Sequence, residues 1–231
     1  MRYEHTARGV FLRRENRFVA RVLLEGAELA VHVKNTGRLG ELLLPGAEVS
    51  LQHSDAPGRK YAWDLIAARR EGLGWVNIDS QACNTVALDW FRQQSWTLIR
   101  PETRYGASRF DFYMERPGER RFVEVKGCTL ARDGLGWFPD APSDRAARHL
   151  RELARATREG YRCAVAFVIA MEGITEVLPN VTTDPAFARA LAQAADAGVE
   201  QWMLPCRVTA DTLQIAEQKI AGHTLAKEEI V

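Results

Sequence analysis

The hydrophobic period of this sequence changes near residue 80, and that change limits the folds open to it. Before it, short apolar-alternating runs stand at 8–14, 17–24, 29–33, 48–52, 60–68 and 74–78. A period of two places successive side chains on opposite faces of a strand. Turn formers separate the runs: Glu15-Asn16, Glu25-Gly26, Asn35-Thr36-Gly37, Pro45-Gly46, Pro57-Gly58 and Gly72. Five or six short strands in so few residues predict a small, partly open barrel, OB-fold-like, over residues 1–80.

After residue 80 helical and strand patterns alternate. Asn84 predicts the N-cap of a helix over 84–94. Residues 104–115 and 120–127 read as two strands joined by the turn Arg116-Pro117-Gly118-Glu119. Ser143 predicts the cap of a helix running to about Arg158 and ended by Gly160. Residues 161–171 form a strand; its Cys163–Met171 stretch is the longest clean apolar run, as a buried strand requires. Asp184-Pro185 opens another helix, ended at Gly198, and 200–208 is a further strand. This predicts an α/β (α+β) chain of two domains, with a mixed-sheet module over 81–231. The last twenty residues are polar and receive no element.

Charge sharpens the division. Lys plus Arg number 31 and Asp plus Glu 30, a net charge of +1 that argues against a strongly basic nucleic-acid binder. The charge is segregated, however. Residues 1–40 carry eight basic and four acidic side chains, and residues 100–162 carry fourteen and ten. Residues 163–231 carry four and nine. Two basic segments are thus cancelled by an acidic C-terminal quarter, which permits a polyanion partner. Cys83, Cys128, Cys163 and Cys206 form no Cys-x-x-Cys pair, so reduced core thiols are expected rather than a zinc site. No apolar run of about 18 residues and no signal-peptide core are present, so a cytoplasmic protein without membrane contact is expected.

Chemistry concentrates at Asp111 and at Glu124-Val125-Lys126. Alternation turns Glu124 and Lys126 to one face and Val125 into the core. The same alternation sets Asp111 opposite to Phe110 and Phe112. If 104–115 and 120–127 pair, Asp111 and Glu124 meet on one sheet face and repel. A divalent cation relieves that repulsion, and hard oxygen ligands select Mg²⁺ or Mn²⁺. A neighbouring lysine can then activate water and stabilise charge on a phosphate. This resembles the acid and acid-x-Lys arrangement of PD-(D/E)xK nucleases. An ordinary Glu–Lys pair on a solvated strand face is the competing reading. Lysine is scarce here, five against 26 arginines, and Phe122, Val123 and Val125 flank the motif as in a central strand, where a charge needs a reason.

Three further patterns carry weaker signals. Lys34-Asn35-Thr36-Gly37-Arg38 is either a plain turn or an anion-binding concavity flanked by cations. On the helix from Ser143, Arg148, Arg151, Arg155 and Arg158 form a stripe that could follow phosphates. The i, i+4 pairs Arg148–Glu152 and Arg155–Glu159 offer the alternative. Trp137-Phe138-Pro139-Asp140-Ala141 reads as a shaped loop, either a cleft wall or a plug between domains.

KNTGRLGELLLPG (34–46), RYGASRFDF (104–112), EVKGCTL (124–130) and FPDAPSDRAARHLREL (138–153) together resemble the bacterial and archaeal sugar fermentation stimulation protein family. The resemblance covers about residues 10 to 208. It implies an OB-like domain followed by a PD-(D/E)xK nuclease-like domain, DNA binding without marked sequence preference, and a regulatory role in maltose metabolism. It assigns Asp111, Glu124 and Lys126 to the catalytic positions, with Asp111 and Glu124 holding the metal. Lys34, Asn35, Arg38, Arg109, Arg145 and His149 are expected at the nucleic acid, and Asp140 in the cleft. Ala146 stands where the family pattern leads one to expect glycine. The partner expected is DNA, single-stranded or duplex, or RNA; a homodimer is left open, and no small-molecule cofactor is expected. A non-catalytic regulator and an RNA-processing factor are the alternatives.

Overall fold

The structure is a computed structural model and describes residues 1–220. Six strands build the first sheet: β1 (Thr6–Asn16), β2 (Val19–Leu24), β3 (Ala27–Val33), β4 (Glu48–His53), β5 (Trp63–Arg70) and β6 (Gly74–Asn77). The order is β3-β2-β1-β4-β5-β6, and β5 returns to pair with β3 in parallel at His32–Asp64 and Val33–Leu65. That pairing closes five strands into an OB-like barrel. Inward-facing Phe11, Val22, Val31, Val49, Leu51 and Leu65 fill it. The 34–47 connection plugs one end with Leu39, Leu42 and Leu43.

The second module opens with helix α1 (Ser80–Arg92), followed by β7 (Leu98–Tyr105), β8 (Ser108–Arg116) and β9 (Glu119–Cys128). Then come β10 (Leu130–Arg132), β11 (Leu135–Phe138), α2 (Asp144–Arg158), β12 (Arg162–Ile169), β13 (Val177–Pro179), α3 (Pro185–Asp196), β14 (Glu200–Val208), β15 (Leu213–Ile215) and β16 (Lys219–Ile220). Its main sheet runs β15-β14-β12-β9-β8-β7, with β16 also on β14. The β9–β12 and β12–β14 pairs are parallel; β7–β8 and β8–β9 are antiparallel. The sheet is therefore mixed. Alternation along β12 divides the core, as a strand buried on both faces must. Ala164, Ala166 and Val168 pack toward α1, while Val165, Phe167 and Ile169 pack toward α2 and α3.

The modules interlock. Asn77 N–H donates to Ala170 O at 2.9 Å, and Tyr3 N–H donates to Asp211 O at 2.8 Å, so the first residues of the chain lie on the second module.

Three local expectations are corrected. Helix α1 starts at Ser80, not Asn84: Asp79 is the cap and accepts the Gln81 N–H at 3.0 Å. Both residues are good caps, and the upstream one wins because Ser80–Cys83 contains no helix breaker. The expected strand over 104–115 is two strands, because the chain reverses at Gly106, whose φ is 55°. Leu213–Ile215 and Lys219–Ile220 form short strands where no element was expected; residues 221–231 of the polar tail lie outside the described residues. The helices capped by Ser143 and Asp184 stand where the sequence places them.

Candidate active site

Strands β8 and β9 pair regularly from Arg116–Glu119 to Phe112–Val123, and then they part. The cause is a side chain. Asp111 Oδ2 accepts the Val125 N–H at 2.7 Å, which satisfies an amide that has lost its ladder partner. Asp111 Oδ1 accepts from Asn84 Nδ2 at 2.8 Å. This break corrects the simple alternation expected of β8. Phe110 packs against His149 and Phe122 on the α2 face, whereas Phe112 packs against Phe91 on the α1 face. Asp111 occupies the gap between the strands.

Glu124 and Lys126 share a face, as expected, and Val125 packs into the opposite core. Glu124 is 3% exposed. Its Oε1 accepts from Lys126 Nζ at 2.7 Å and lies 2.5 Å from His149 Nδ1. Its Oε2 is buried with no hydrogen-bond partner. A bare buried carboxylate oxygen costs about 1–3 kcal/mol or more, so a native site retains one for a reason.

The two acids are pushed in opposite directions. Burial and the charge of Glu124 raise Asp111 above the usual carboxylate range, against the pull of the Val125 amide, Asn84 and Lys126. Burial also pushes Glu124 up, but His149 and Lys126 outweigh it and hold it below its ordinary value. Such a split within one pair of acids is typical of sites that do chemistry.

A cleft of about 310 Å³ lies between the modules; its lining includes Cys83 and Gly127 but not Asp111, Glu124 or Lys126 themselves. The Asn35-Thr36-Gly37 turn, Asn77–Ser80, Cys83, Gly127 and the 138–143 loop line it. Cys83 and Gly127 are the sequence neighbours of Asn84 and Lys126. A Cβ on Gly127 would stand 2.7 Å from Cys83 Sγ, so glycine lets α1 approach β9. Phe138 packs on Phe167 and Phe187 and holds the Pro139–Asp140 wall in place. The loop thus lines the cleft rather than plugging the interface.

The remaining expected residues divide. Lys34 is not a free cation: its ammonium pairs with buried Asp79 at 2.6 Å, beside the Tyr3 hydroxyl. Asn35 serves the turn, accepting the Gly37 N–H at 2.7 Å and donating to Ile78 O at 2.9 Å. Arg38 N–H donates to Asp140 Oδ2 at 2.9 Å, and the Arg38 guanidinium, half exposed, pairs with Glu41. Asp140 therefore fastens the barrel turn to the second module. A Cβ on Gly37 would meet that carboxylate at 2.6 Å. His149 is buried beneath Glu124 instead of lying on an open surface. Arg109 is exposed and pairs with Glu102; Arg145 is exposed at the start of α2. Arg155 pairs with Glu159 at 2.9 Å, but Arg148 does not pair with Glu152, whose Oε2 is buried without a partner. Ala146 packs its methyl in the core.

Sequence reasoning missed Asn84 as the residue that orients Asp111. It also missed the Arg14 guanidinium, which donates to the carbonyls of Asn35, Gly37 and Arg38 and shapes the cleft rim.

The fold and the site together define a class: an OB-like barrel joined to a mixed-sheet module that carries an acid and an acid-x-Lys pair on adjacent strands. The model of the SfsA N-terminal OB domain matches residues 12–78, and that of the sugar fermentation stimulation protein RE domain matches residues 80–212. The chain belongs to the sugar fermentation stimulation protein family. It is 44% identical over 220 residues to the sugar fermentation stimulation protein homolog of Desulfitobacterium hafniense, covering 94% of this chain and 96% of that protein. The homolog of Ruminiclostridium cellulolyticum is 41% identical over 222 residues, covering 94% and 98%. Among solved structures, Pyrococcus furiosus SfsA in complex with Ca²⁺ is similar with a TM-score of 0.83 and 27% identity, over 94% of this chain and 96% of that one.

Proposed function

We propose that this protein binds nucleic acid and cuts phosphodiester bonds with the help of a divalent cation, Mg²⁺ or Mn²⁺, held by Asp111 and Glu124. The observation that carries the reading is the buried, unpartnered Glu124 Oε2 next to a second desolvated carboxylate. Among the described residues no group of three or more His, Cys, Asp or Glu is placed to hold a metal. Two carboxylates suffice for magnesium, which keeps waters and takes phosphate oxygens as its other ligands. The solved structure of Pyrococcus furiosus SfsA is in complex with another hard cation, Ca²⁺. When bound, such a cation supplies Lewis-acid stabilisation of phosphate charge.

The chain's own residues supply the rest. Asn84 and the Val125 amide hold the Asp111 carboxylate in the gap between strands. His149 fixes Glu124 from below, so that Oε2 is the free oxygen. Lys126 Nζ lies 2.7 Å from Glu124 Oε1 and is placed to orient a water and to neutralise charge developing on a phosphate. Four free, buried thiols suit a reducing compartment, in keeping with a cytoplasmic protein. The family role in sugar fermentation would then operate through nucleic acid, including the regulation of maltose metabolism.

The test is incubation of the purified protein with labelled single-stranded, duplex and branched DNA and RNA, with Mg²⁺ or Mn²⁺. The expected result is cleavage by wild type that Lys126→Ala removes while binding persists. Binding without cleavage on every substrate would overturn the enzymatic reading and leave a binding-only regulator.

A further inference from the structure

We propose that the barrel holds single-stranded nucleic acid by stacking bases on Phe18 and Tyr61, at the edge of the cleft. The proposal rests on nucleic acid being the partner of the site above; it adds the form of the strand and the surface that grips it.

Two loops carry the rings. Phe18 stands in the turn between β1 and β2 and is 48% exposed, among the few large apolar side chains left in water. The Arg17 guanidinium lies 5.4 Å from its ring centroid. Tyr61 stands in the loop between β4 and β5, with Lys60 Nζ 5.3 Å from its ring. The topology brings the loops together at the end of β3. Val33 N–H donates to Phe18 O at 2.8 Å, His32 sits opposite Val19 and Asp64, and Arg59 reaches back to Asp64. Arg21 on β2 is close enough to Tyr61 for their charges to interact.

The charges on this face sort themselves. Arg13 and Arg21 are neutralised by Glu28 and Glu15, and Arg59 by Asp64, which also lies 2.9 Å from His32 Nδ1. Among the described residues, Arg17 and Lys60 make no ion pair and sit instead beside Phe18, which is exposed, and Tyr61, which is partly buried. A ring with an uncommitted cation next to it is what a single strand requires: a flat surface for the base and a charge for its phosphate. Bases within a duplex are stacked on each other and offer no face to such rings. Arg14 joins this surface to the cleft. Its guanidinium donates to the carbonyls of Asn16 and Arg17 on the aromatic turn and to those of Asn35, Gly37 and Arg38 on the cleft rim. A strand gripped at Phe18 therefore lies next to the Asn35–Gly37 rim of the cleft between the modules.

The test uses the full chain in EDTA with labelled dT and U oligonucleotides of about 15 nucleotides, within the span of one barrel of this type, and a duplex of equal length. The expected result is preference for the single strands and an affinity that falls as salt rises. Phe18→Ala and Tyr61→Ala should each weaken binding about tenfold or more, and Phe18→Trp should restore it. The dT and U arms show whether the strand held is DNA or RNA. Unchanged affinity in both alanine variants, or preference for the duplex, would overturn the proposal. Because EDTA removes the cation, strand binding that depends on Phe18 and Tyr61 stands even if no strand is ever cut. Cleavage of duplex alone, with no grip on single strands, would leave the cation-site reading intact and end this one.

Discussion

Strand β9 carries two buried charge clusters three residues apart, and they are built on opposite rules. At Arg121, 4% exposed, every charge is answered. Its guanidinium takes Glu119 Oε1 at 2.6 Å and both oxygens of Glu200 at 2.9 and 3.0 Å, and it lies 4.8 Å from the Trp202 ring. Arg116 covers the other oxygen of Glu119, and Trp202 Nε1 adds a hydrogen bond to Glu200. Two arginines face two glutamates and no carboxylate oxygen is left over. At Glu124, on the other face of the strand, two acids face one lysine, and Oε2 has no partner. The first cluster ties β9 to β14 across β12. The second leaves a carboxylate oxygen unanswered. Burial of a carboxylate is therefore not itself a functional signal, nor is one bare oxygen, since Glu152 Oε2 on α2 also lacks a partner; the signal at Glu124 is the bare oxygen together with the neighbouring charge of Asp111.

The contrast breaks first under substitution for stability. Arg121→Met leaves Glu200 and Glu119 without their main partner and should cost about 3 kcal/mol, read as a lower midpoint in urea. Asp111→Asn should leave that midpoint unchanged or raise it by up to about 1 kcal/mol, because it removes a desolvated acid that Glu124 repels, whereas Glu124→Gln, which gives up the Lys126 and His149 partners, should lower it by less than Arg121→Met does. Equal losses at both clusters would erase the distinction. In the same order of size, Lys126→Ala should lower cleavage by about 100-fold, equivalent to about 2.7 kcal/mol of barrier, while a cooperative urea transition persists.

Acid titration sharpens the contrast further, because the signs differ. Glu119 and Glu200 sit below their ordinary values; burial pushes each up, and the hydrogen bonds and charge of Arg121 outweigh it. Their stabilisation is present above the unfolded value near 4.3 and is lost as pH falls through their lower folded values. Glu200→Gln should therefore flatten the acid limb of a stability–pH curve. Asp111 is raised by burial and by Glu124. Its contribution is present below its unfolded value and is lost as pH rises through the higher folded one. Asp111→Asn should thus gain on wild type as pH rises from about 4. Parallel curves for the two variants would contradict the assignment. The smallest effect is expected at Asn84→Ala, which removes one hydrogen bond from Asp111 and should cost about 1 kcal/mol while lowering cation affinity.

The sequence was legible where chemistry and local pattern coincide. Glu124 and Lys126 share a face because a strand alternates, and Ser143 and Asp184-Pro185 cap helices by local geometry alone. It was less legible where a long-range contact decides. Asn84 reads as a cap and is instead the partner of a carboxylate 27 residues away. Lys34 reads as a free cation and is held by Asp79, 45 residues on. The alternation of β8 fails at Asp111 because the carboxylate takes an amide from the neighbouring strand. No periodicity carries that information, since the break exists only once β8 and β9 lie side by side.

The most direct test of the central claim is calorimetric titration of Mg²⁺ or Mn²⁺ into the protein, run beside the Glu124→Gln and Asp111→Asn variants. The account predicts saturable cation binding by wild type that either substitution abolishes while the fold persists. Wild type that takes up no cation, or binds it equally well after both substitutions, would contradict it.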